Sequence, residues 1–305
     1  MFISRAVMLG VIGIPPAAGG GGAPTYNWIF MAGPGNNTAQ YTLDTYTETA
    51  RGTIANGGTG NPASFGNESY GWFCGGYQGG SATAVSRFNN ASIATNSTAM
   101  TSMNSGAQQN GIGGGCYKTG QSGYTFGGTG GGSWSSVILK YNISGDSWST
   151  LSATLAATAG WNATHNNDTY AIIAGGYNGS DRTETNIFTF STDTRSTGTA
   201  LASATRDWCA TGDQTNAYAY CGYNSLTTIR KLAIATGTQA TTFTNSAGLR
   251  YADGASSDTN GLFTGGEGQT TLVREVVYAT DTFASKTALS TGRSEHGAYS
   301  GAQTA

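Results

Sequence analysis

The residues best suited to chemistry are aromatic and basic side chains at recurring points of the chain. Three tyrosines each follow a short β-prone run that ends in small residues, one tryptophan lies in the longest loop that starts there, and three arginines precede later runs. Exposed aromatic rings stack on sugar rings or anchor a protein partner, and a guanidinium group grips an acidic group bidentately. The candidate ligand-binding residues are Tyr77, Trp134, Tyr177, Tyr223, Arg206, Arg250 and Arg293.

The sequence leaves a structural alternative open for both sets of side chains. The tyrosines can instead pack between neighbouring repeat units, with their hydroxyl groups satisfied at the rim. The arginines can instead donate hydrogen bonds to carbonyl groups of nearby loops.

Catalytic and metal-binding motifs are missing from the sequence. The histidines and cysteines show no CxxC or CxxH spacing, and no GxSxG, HExxH, phosphate-binding or calcium-loop motif is present. The carboxylates stand mostly in turns, such as Asp146 and Asp193, where we expect them to cap backbone N–H groups. We therefore predict a protein that is not an enzyme and has no metal or other cofactor. We expect the cysteines to be small buried core residues; they are Cys74, Cys116, Cys209 and Cys221, and the histidines are His165 and His296.

The composition indicates a folded and nearly neutral chain. Of its 305 residues, 38% are hydrophobic and 10% are charged, with a formal net charge of -2. Such a chain can bury a sizeable core, and it has no basic face for nucleic acid. The 48 glycines therefore indicate turns at many strand ends rather than disorder.

Six internal repeats determine the predicted fold. Each begins with a β-prone run whose closing glycine lies 43 to 52 residues from the next, followed by a second alternating run, a turn and a short third strand. The entry into the following run supplies the fourth strand. The six runs are Tyr26–Gly33, Tyr70–Gly76, Gly123–Gly128, Thr169–Gly176, Ala217–Gly222 and Gly261–Gly266.

A four-stranded sheet cannot bury both of its faces alone, so the repeats predict sheets stacked around an axis. The fold class is an all-β, six-bladed β-propeller at residues 25–305. Ser294–Ala302 has no repeat after it, and we expect it to close the ring as the innermost strand beside Tyr26–Gly33. Arg51, Arg206, Arg250 and Arg293 are predicted to share one position before an innermost strand, the last three near one mouth of the central channel.

The repeats resemble the kelch repeat, in which an apolar strand ends in Gly-Gly and a tyrosine and a tryptophan follow. The third repeat matches best, with Gly127, Gly128, Tyr141 and Trp148 in place. The resemblance covers almost all of residues 25–305 and implies the propeller fold, with partners bound on the face where the Gly-Gly loops emerge. It also implies that Trp148 is largely buried against the neighbouring blade.

Residues 1–24 differ from the rest of the chain and form a separate segment: an apolar arm, Met1–Ile14, and a Pro/Gly-rich spacer at residues 15–24. The apolar run is too short to span a bilayer as a helix, and burial of its side chains requires a partner surface. We expect it to be an assembly anchor that contacts copies of the chain or other proteins of a particle, so that the protein is multimeric there. The anchor residues are Phe2, Ile3, Val7, Met8, Leu9, Val11, Ile12 and Ile14.

The sequence also resembles the Gly- and Thr-rich propellers of bacteriophage virion proteins. This resemblance implies a structural protein of the tail or capsid that is assembled in the host cytoplasm. The arm would bind other virion proteins, and the propeller would contact the host surface, where a glycan is the expected ligand. The alternative is a secreted or surface-attached bacterial adhesin or lectin, because one arginine before a short apolar run also resembles a secretion signal.

Overall fold

The computed structural model of this chain describes most of the repeat region. The described residues are 25–32, 38–43, 45–54, 60–67, 69–76, 83–90, 96–104, 113–116, 122–130, 132–206, 209–220, 222, 227–244, 249–257, 259–268, 270–294 and 297–303. Within these ranges, no helix is long and apolar enough to cross a membrane.

The described strands form six four-stranded antiparallel sheets, which we number as blades in chain order. Blade 1 contains β1 (Thr25–Ala32), β2 (Thr38–Thr42) and β3 (Thr47–Ala50). Blade 2 contains β4 (Ala63–Gly66), β5 (Tyr70–Cys74), β6 (Val85–Asn89) and β7 (Thr98–Met100). Blade 3 contains β8 (Gly113–Cys116), β9 (Ser122–Phe126), β12 (Val137–Asn142) and β13 (Ser147–Thr154), with a hairpin of β10 (Thr129–Gly130) and β11 (Ser133–Trp134) between β9 and β12.

The second half of the chain repeats the arrangement. Blade 4 contains β14 (Ala163–Asn166), β15 (Tyr170–Ala174), β16 (Thr185–Thr189) and β17 (Thr194–Thr197). Blade 5 contains β18 (Cys209–Gly212), β19 (Asn216–Tyr220), β20 (Thr228–Ala233) and β21 (Gln239–Thr244). Blade 6 contains β22 (Asp253–Ser256), β23 (Asn260–Thr264), β24 (Val273–Val277) and β25 (Thr282–Ser285), and β26 (Gly297–Gln303) returns to blade 1.

The innermost strands meet in a closed ring, in the order β26, β4, β8, β14, β18, β22 and back to β26. The predicted six-bladed β-propeller is therefore confirmed. The second strand of each blade reads as a nearly continuous buried run, as in β15, because neighbouring blades cover both of its faces. The outermost strands, such as β17, are rich in threonine, a β-branched residue that suits a half-exposed sheet edge.

Ring closure follows the predicted pairing, because β26 lies beside β1 with Ala298 opposite Met31. Side chains from both neighbouring blades hold its backbone. The Ala298 N–H donates to the Asp253 carboxylate at 2.5 Å, and the Ser64 hydroxyl donates to the Ala298 carbonyl at 2.8 Å. The closing strand is thus fixed from both sides, and the ring leaves no innermost edge open at this point.

Strand direction defines two faces of the disc. The upper face carries the loops between second and third strands, such as residues 175–184, and the connections into the next innermost strand, such as residues 198–206. The lower face carries the loops between first and second strands and the turns between third and fourth strands. Because β1 is antiparallel to β26, it begins at the lower face and ends at the upper face.

The lower-face loops between first and second strands repeat one local design. A short polar side chain accepts hydrogen bonds from the backbone N–H groups two and three residues later, which closes the turn. Asn167, for example, accepts from Thr169 at 2.8 Å and from Tyr170 at 2.7 Å. Asn67, Asp213 and Ser257 do the same in blades 2, 5 and 6.

The turns between third and fourth strands hold neighbouring blades together. Asp193 of blade 4 has a φ of 53°, and its carboxylate accepts from Tyr124 at 2.8 Å and from Lys140 at 2.7 Å, both in blade 3. The same latch recurs where Lys231 of blade 5 binds Asp281 of blade 6 at 2.8 Å, beside the Tyr218 hydroxyl.

The expected role of these turn carboxylates therefore needs correction. The hydrogen bonds of Asp193 cross to the preceding blade. Asp146 likewise accepts from the backbone N–H of Thr101 in blade 2, at 3.1 Å, and from Tyr141, at 2.6 Å. A left-handed backbone at these residues directs the carboxylate toward the neighbouring blade, which sequence spacing does not reveal.

Trp148 reaches the neighbouring blade as predicted, but it is only partly buried. Its indole Nε1 donates to the Thr101 carbonyl of blade 2 at 3.0 Å, and its ring packs 4.8 Å from the ring of Tyr141. The outermost strand begins beside this residue, so solvent reaches one side of the ring. The expectation of a largely buried tryptophan is wrong for this reason.

Candidate binding site on the upper face

The structure describes five of the seven predicted ligand-binding residues: Trp134, Tyr177, Arg206, Arg250 and Arg293. Tyr77 and Tyr223 lie outside the described residues, as does the whole predicted anchor: Phe2, Ile3, Val7, Met8, Leu9, Val11, Ile12 and Ile14. Their proposed roles stay predictions.

Two of the predicted residues meet in an aromatic cluster, which we define as Trp134, Trp161 and Tyr177. The ring centroid of Trp134 lies 5.1 Å from that of Trp161 and 5.2 Å from that of Tyr177, and both ring pairs are edge-on. The centroids of Trp161 and Tyr177 are 5.7 Å apart. These distances and tilts are in the favourable range for aromatic pairs. All three residues are half-buried, so the cluster combines packing with an accessible surface.

Three different backbone elements position the cluster. Trp134 stands on β11, paired with Thr129 of β10, so a hairpin holds it above blade 3. Tyr177 lies in the loop between β15 and β16 and pairs with Gly160, its N–H donating to the Gly160 carbonyl at 2.8 Å. Trp161 follows Gly160 directly, so the same pairing brings the two rings together.

Arg206 extends the cluster toward blade 5. Its guanidinium carbon lies 3.9 Å from the centroid of the Tyr177 ring, and its Nε lies 3.4 Å from the Asp181 carboxylate. A cation over an aromatic face and an ion pair with a carboxylate both hold the guanidinium in place. The Arg206–Asp181 pair has no net charge, so this part of the upper face presents polar groups without a strong field.

The loops that carry Trp134 and Tyr177 each contain an exposed glycine turn. Gly132 lies in the turn of the β10–β11 hairpin and Gly179 in the loop after Tyr177, and nothing lies within 4 Å of a Cβ built on either. Their φ angles of 85° and 105° are strained for other residues. Glycine thus allows both tight turns.

Sequence reasoning missed Trp161, although a signal existed. It stands two residues before an innermost strand, at the position of Asn61 in blade 2 and Tyr251 in blade 6, and all three have φ between 50° and 58°. Asparagine is common at such a position, whereas a bulky indole is an outlier there. An alignment of the six connections would have shown a tryptophan where the backbone favours asparagine or glycine.

Arg250 occupies the same backbone position as Arg206, but in a different environment. Its carbonyl accepts from the Glu267 N–H at 2.5 Å, as the Gly160 carbonyl accepts from Tyr177. Its guanidinium pairs with the Glu267 carboxylate at 2.9 Å and lies 4.3 Å from the Tyr251 ring centroid. Blade 6 thus has the Glu267 carboxylate where blade 4 has the ring of Tyr177.

Arg293 does not share this position. Its carbonyl accepts from Gly266 at 2.8 Å, as the Thr205 carbonyl accepts from Gly176 at 3.0 Å, so Arg293 corresponds to the residue before Arg206. A shift of one residue in extended backbone turns the side chain to the other side.

The side chain of Arg293 therefore points into the blade interface. It is 8% exposed and pairs with Glu48 of blade 1 at 3.0 Å. Burial raises the pKa of Glu48, but hydrogen bonds from Ser290 and Arg293 outweigh burial and hold it below its usual value. Arg51 also departs from the predicted position, because it follows the outermost strand β3, where it bonds to Gln40 at 2.7 Å. The predicted equivalence of the four arginines is wrong.

His165 lies inside the propeller rather than on a face. Its ring is fully buried between blades 4 and 5, with Nε2 3.1 Å from the Asp213 carbonyl. The ring fits because residue 212 is glycine, where a Cβ would lie 2.7 Å from Nε2. Burial lowers the pKa of His165 to about 4, only partly opposed by Asp213. It is therefore a neutral packing residue at pH 7.

Among the described residues, no three His, Cys, Asp or Glu side chains are grouped so as to hold a metal ion. Cys74 and Cys209 are buried in the core. The upper-face cluster therefore remains the described site whose chemistry suits recognition of a ligand.

Comparison with known proteins identifies the fold alone. The sequence matches no protein-family model and no curated protein. The solved structure of YjhT superposes on this chain with a TM-score of 0.63 and 14% sequence identity, over 78% of this chain and 86% of that one. Similarity at this level extends to the β-propeller architecture and to nothing more specific.

Proposed function

We propose that this chain is a non-enzymatic virion protein of a bacteriophage, associated with the tail or capsid. Its N-terminal arm anchors it to other virion proteins, and its propeller, built of kelch-type repeats, contacts a glycan on the host surface. The aromatic cluster with Arg206 is the contact site.

The observation that carries this proposal is the position of the cluster relative to the chain entry. The cluster lies on the upper face, whereas β1 begins at the lower face, so residues 1–24 join the propeller on the side away from the cluster. A chain attached through those residues presents the cluster outward. A fully extended segment of ten residues, the length of the predicted spacer, reaches about 33 Å, which is long enough to separate an anchor from the propeller.

The charge distribution supports contact with a glycan rather than with nucleic acid. The chain carries a formal net charge of -2, and Arg206 of the cluster is paired with Asp181. Nucleic-acid sites need a basic surface to neutralise phosphates. Aromatic rings in a neutral and polar setting instead suit the apolar faces and hydroxyl groups of sugars.

The anchoring role is tested with Leu9→Asp/Ile12→Asp. We expect the variant propeller to stay folded, monomeric and able to bind glycan, while its incorporation into particles is lost. Leu9→Val/Ile12→Val serves as the matched control and should incorporate normally, because it keeps the segment apolar.

Two results would contradict the proposal. One is normal incorporation of the Asp double variant. The other is native protein whose chain begins near Ala18, measured by mass spectrometry, which would indicate secretion and favour a bacterial adhesin.

A further inference from the structure

The aromatic cluster departs from the repeat, and this departure points to a ligand. At the positions of Trp161 and Tyr177, blade 6 has Tyr251 and Glu267. In blade 4 the position of Trp134 is taken by Asp181, because Tyr177 bridges to Asp181 as Thr129 pairs with Trp134 in blade 3. The propeller architecture therefore does not require the cluster.

Trp161 carries an energetic cost that the shared backbone does not explain. Its φ of 52° recurs at Asn61 and Tyr251, so the left-handed conformation belongs to this connection and not to the cluster. Its buried indole Nε1, in contrast, has no hydrogen-bond partner within the described structure. The indole thus stands where blade 2 has the smaller and polar Asn61.

The charges around the cluster favour an uncharged ligand. Arg206 lies over Tyr177 and pairs with Asp181, and the nearby Arg182 pairs with Glu184. Each guanidinium thus has its own carboxylate. An acidic ligand would have to compete with these carboxylates, whereas a neutral one would not.

Polar side chains occur in the same loops as the rings. Ser133 precedes Trp134 in the hairpin, and Asn178 and Ser180 follow Tyr177 in its loop. Gly132 and Gly179 are exposed, and nothing lies within 4 Å of a Cβ built on either. A pyranose ring has an apolar C–H face and a rim of hydroxyl groups, which suits an aromatic surface carried by polar loops.

We propose that the aromatic cluster binds one uncharged pyranose ring, stacked on Trp134 and bordered by Trp161 and Tyr177. The inference rests on the proposed function of the upper face and gives it a ligand class. It assigns Trp161 to the site and makes neutral rather than acidic sugars the ligands.

The test is calorimetric titration of the full chain with neutral oligosaccharides that end in glucose or galactose, and with sialylated and uronic-acid counterparts. We expect neutral sugars to bind with an affinity that changes less than about twofold between low and high salt. Trp134→Ala and Trp161→Asn should each weaken binding at least about tenfold. Tyr251→Ala, at the Trp161 position in blade 6, is the matched control and should bind normally.

The outcomes separate the two proposals. Binding of acidic sugars alone, weakened by salt, would overturn the neutral-ligand inference and keep the proposed glycan contact. Equal binding by wild type and Trp161→Asn would remove Trp161 from the site. If the folded wild-type chain binds no glycan of either class, the glycan contact itself is overturned. Far-UV circular dichroism and thermal unfolding of each variant separate a lost site from a lost fold.

Discussion

The two faces of the disc use similar residue types in opposite ways. On the lower face, a lysine and a tyrosine of one blade hold an aspartate of the next, and this latch is found at Asp193 and again at Asp281. On the upper face, the aromatic cluster and Arg206 occur together once among the described residues.

This difference separates two kinds of contact in a repeat protein. A contact that recurs at one position of several blades serves the common architecture, since each blade needs the same support from its neighbours. A contact that is found once among the described residues is not required by the common architecture. We therefore expect changes to recurring contacts to alter stability, and changes to the cluster to alter binding.

The largest effect is expected from removing the closing strand, on which all six blades depend. Truncation after Thr291 deletes β26 and with it the ladder to β1 and the bonds of Ala298 to Asp253 and Ser64. At about 1 kcal/mol per hydrogen bond, the loss is at least about 5 kcal/mol. Urea denaturation followed by circular dichroism measures it. Truncation after Gln303 is the control, and an equally small effect of both truncations would mean that closure does not support the ring.

The second effect concerns the buried His165 and is measured as the pH dependence of the unfolding free energy. Its folded pKa of about 4 lies below the unfolded value near 6.5, so the neutral form favours folding. Stability from this residue is complete above pH 6.5 and is lost as pH falls toward 4, by about 3 kcal/mol.

The measurement compares the unfolding free energy of wild type and His165→Gln across this pH range. Burial raises the pKa of Asp253, which stabilises the fold as pH falls and so opposes the histidine effect. Both chains contain Asp253, so their difference isolates the histidine. A difference that does not vary with pH would show that His165 is not buried as described.

The third effect tests a recurring latch. Asp281→Ala leaves Lys231 and the Tyr218 hydroxyl without their shared carboxylate, and we expect a loss of about 2 kcal/mol with sugar binding unchanged. Glu267→Ala is the control on the upper face. The carboxylate of Glu267 is 50% exposed in its pair with Arg250, so its loss should cost less than about 1 kcal/mol. Similar losses in both variants would remove the distinction between the faces.

The smallest effect on stability compares one substitution on both faces. Trp148→Ala removes a half-buried ring and its hydrogen bond to Thr101, and we expect it to lower the free energy of unfolding by about 2 kcal/mol. Sugar binding should be unchanged. Trp134→Ala removes the edge-on contacts to Trp161 and Tyr177, and we expect it to lower the free energy of unfolding by about 1 kcal/mol. It should also weaken sugar binding. Thermal unfolding measures the stability loss of each variant, and titration with neutral oligosaccharides measures its binding. A larger stability loss for Trp134→Ala would make the cluster a structural contact.

The predictions from sequence were accurate where a pattern is local. The runs that end in small residues are the second strands β1, β5, β9, β15, β19 and β23, and their number set the number of blades. Trp148 reached the expected neighbour. Its burial was overestimated, because exposure depends on how far the adjacent blade extends over the outermost strand.

The site was predicted only in part. Trp134 and Tyr177 were chosen because they follow strand ends, and the structure brings them together. Trp161 was missed because it precedes an innermost strand, whereas Trp134 and Tyr177 were found in loops that follow second strands. Arg293 was misaligned by one residue and Arg51 was assigned to the wrong connection position, since loop lengths differ between repeats and only the backbone hydrogen bonds establish the register.

The strand order, the six blades and the closure by the C-terminal strand could be predicted from the amino-acid sequence, since hydrophobic alternation and turn residues are local and recur six times. Which side chains meet depends on the folded chain. Tyr177 pairs with Gly160, and Arg206 reaches Asp181 from the connection to the next blade. Such contacts depend on blade spacing and on loop register, which side-chain types in linear order do not encode.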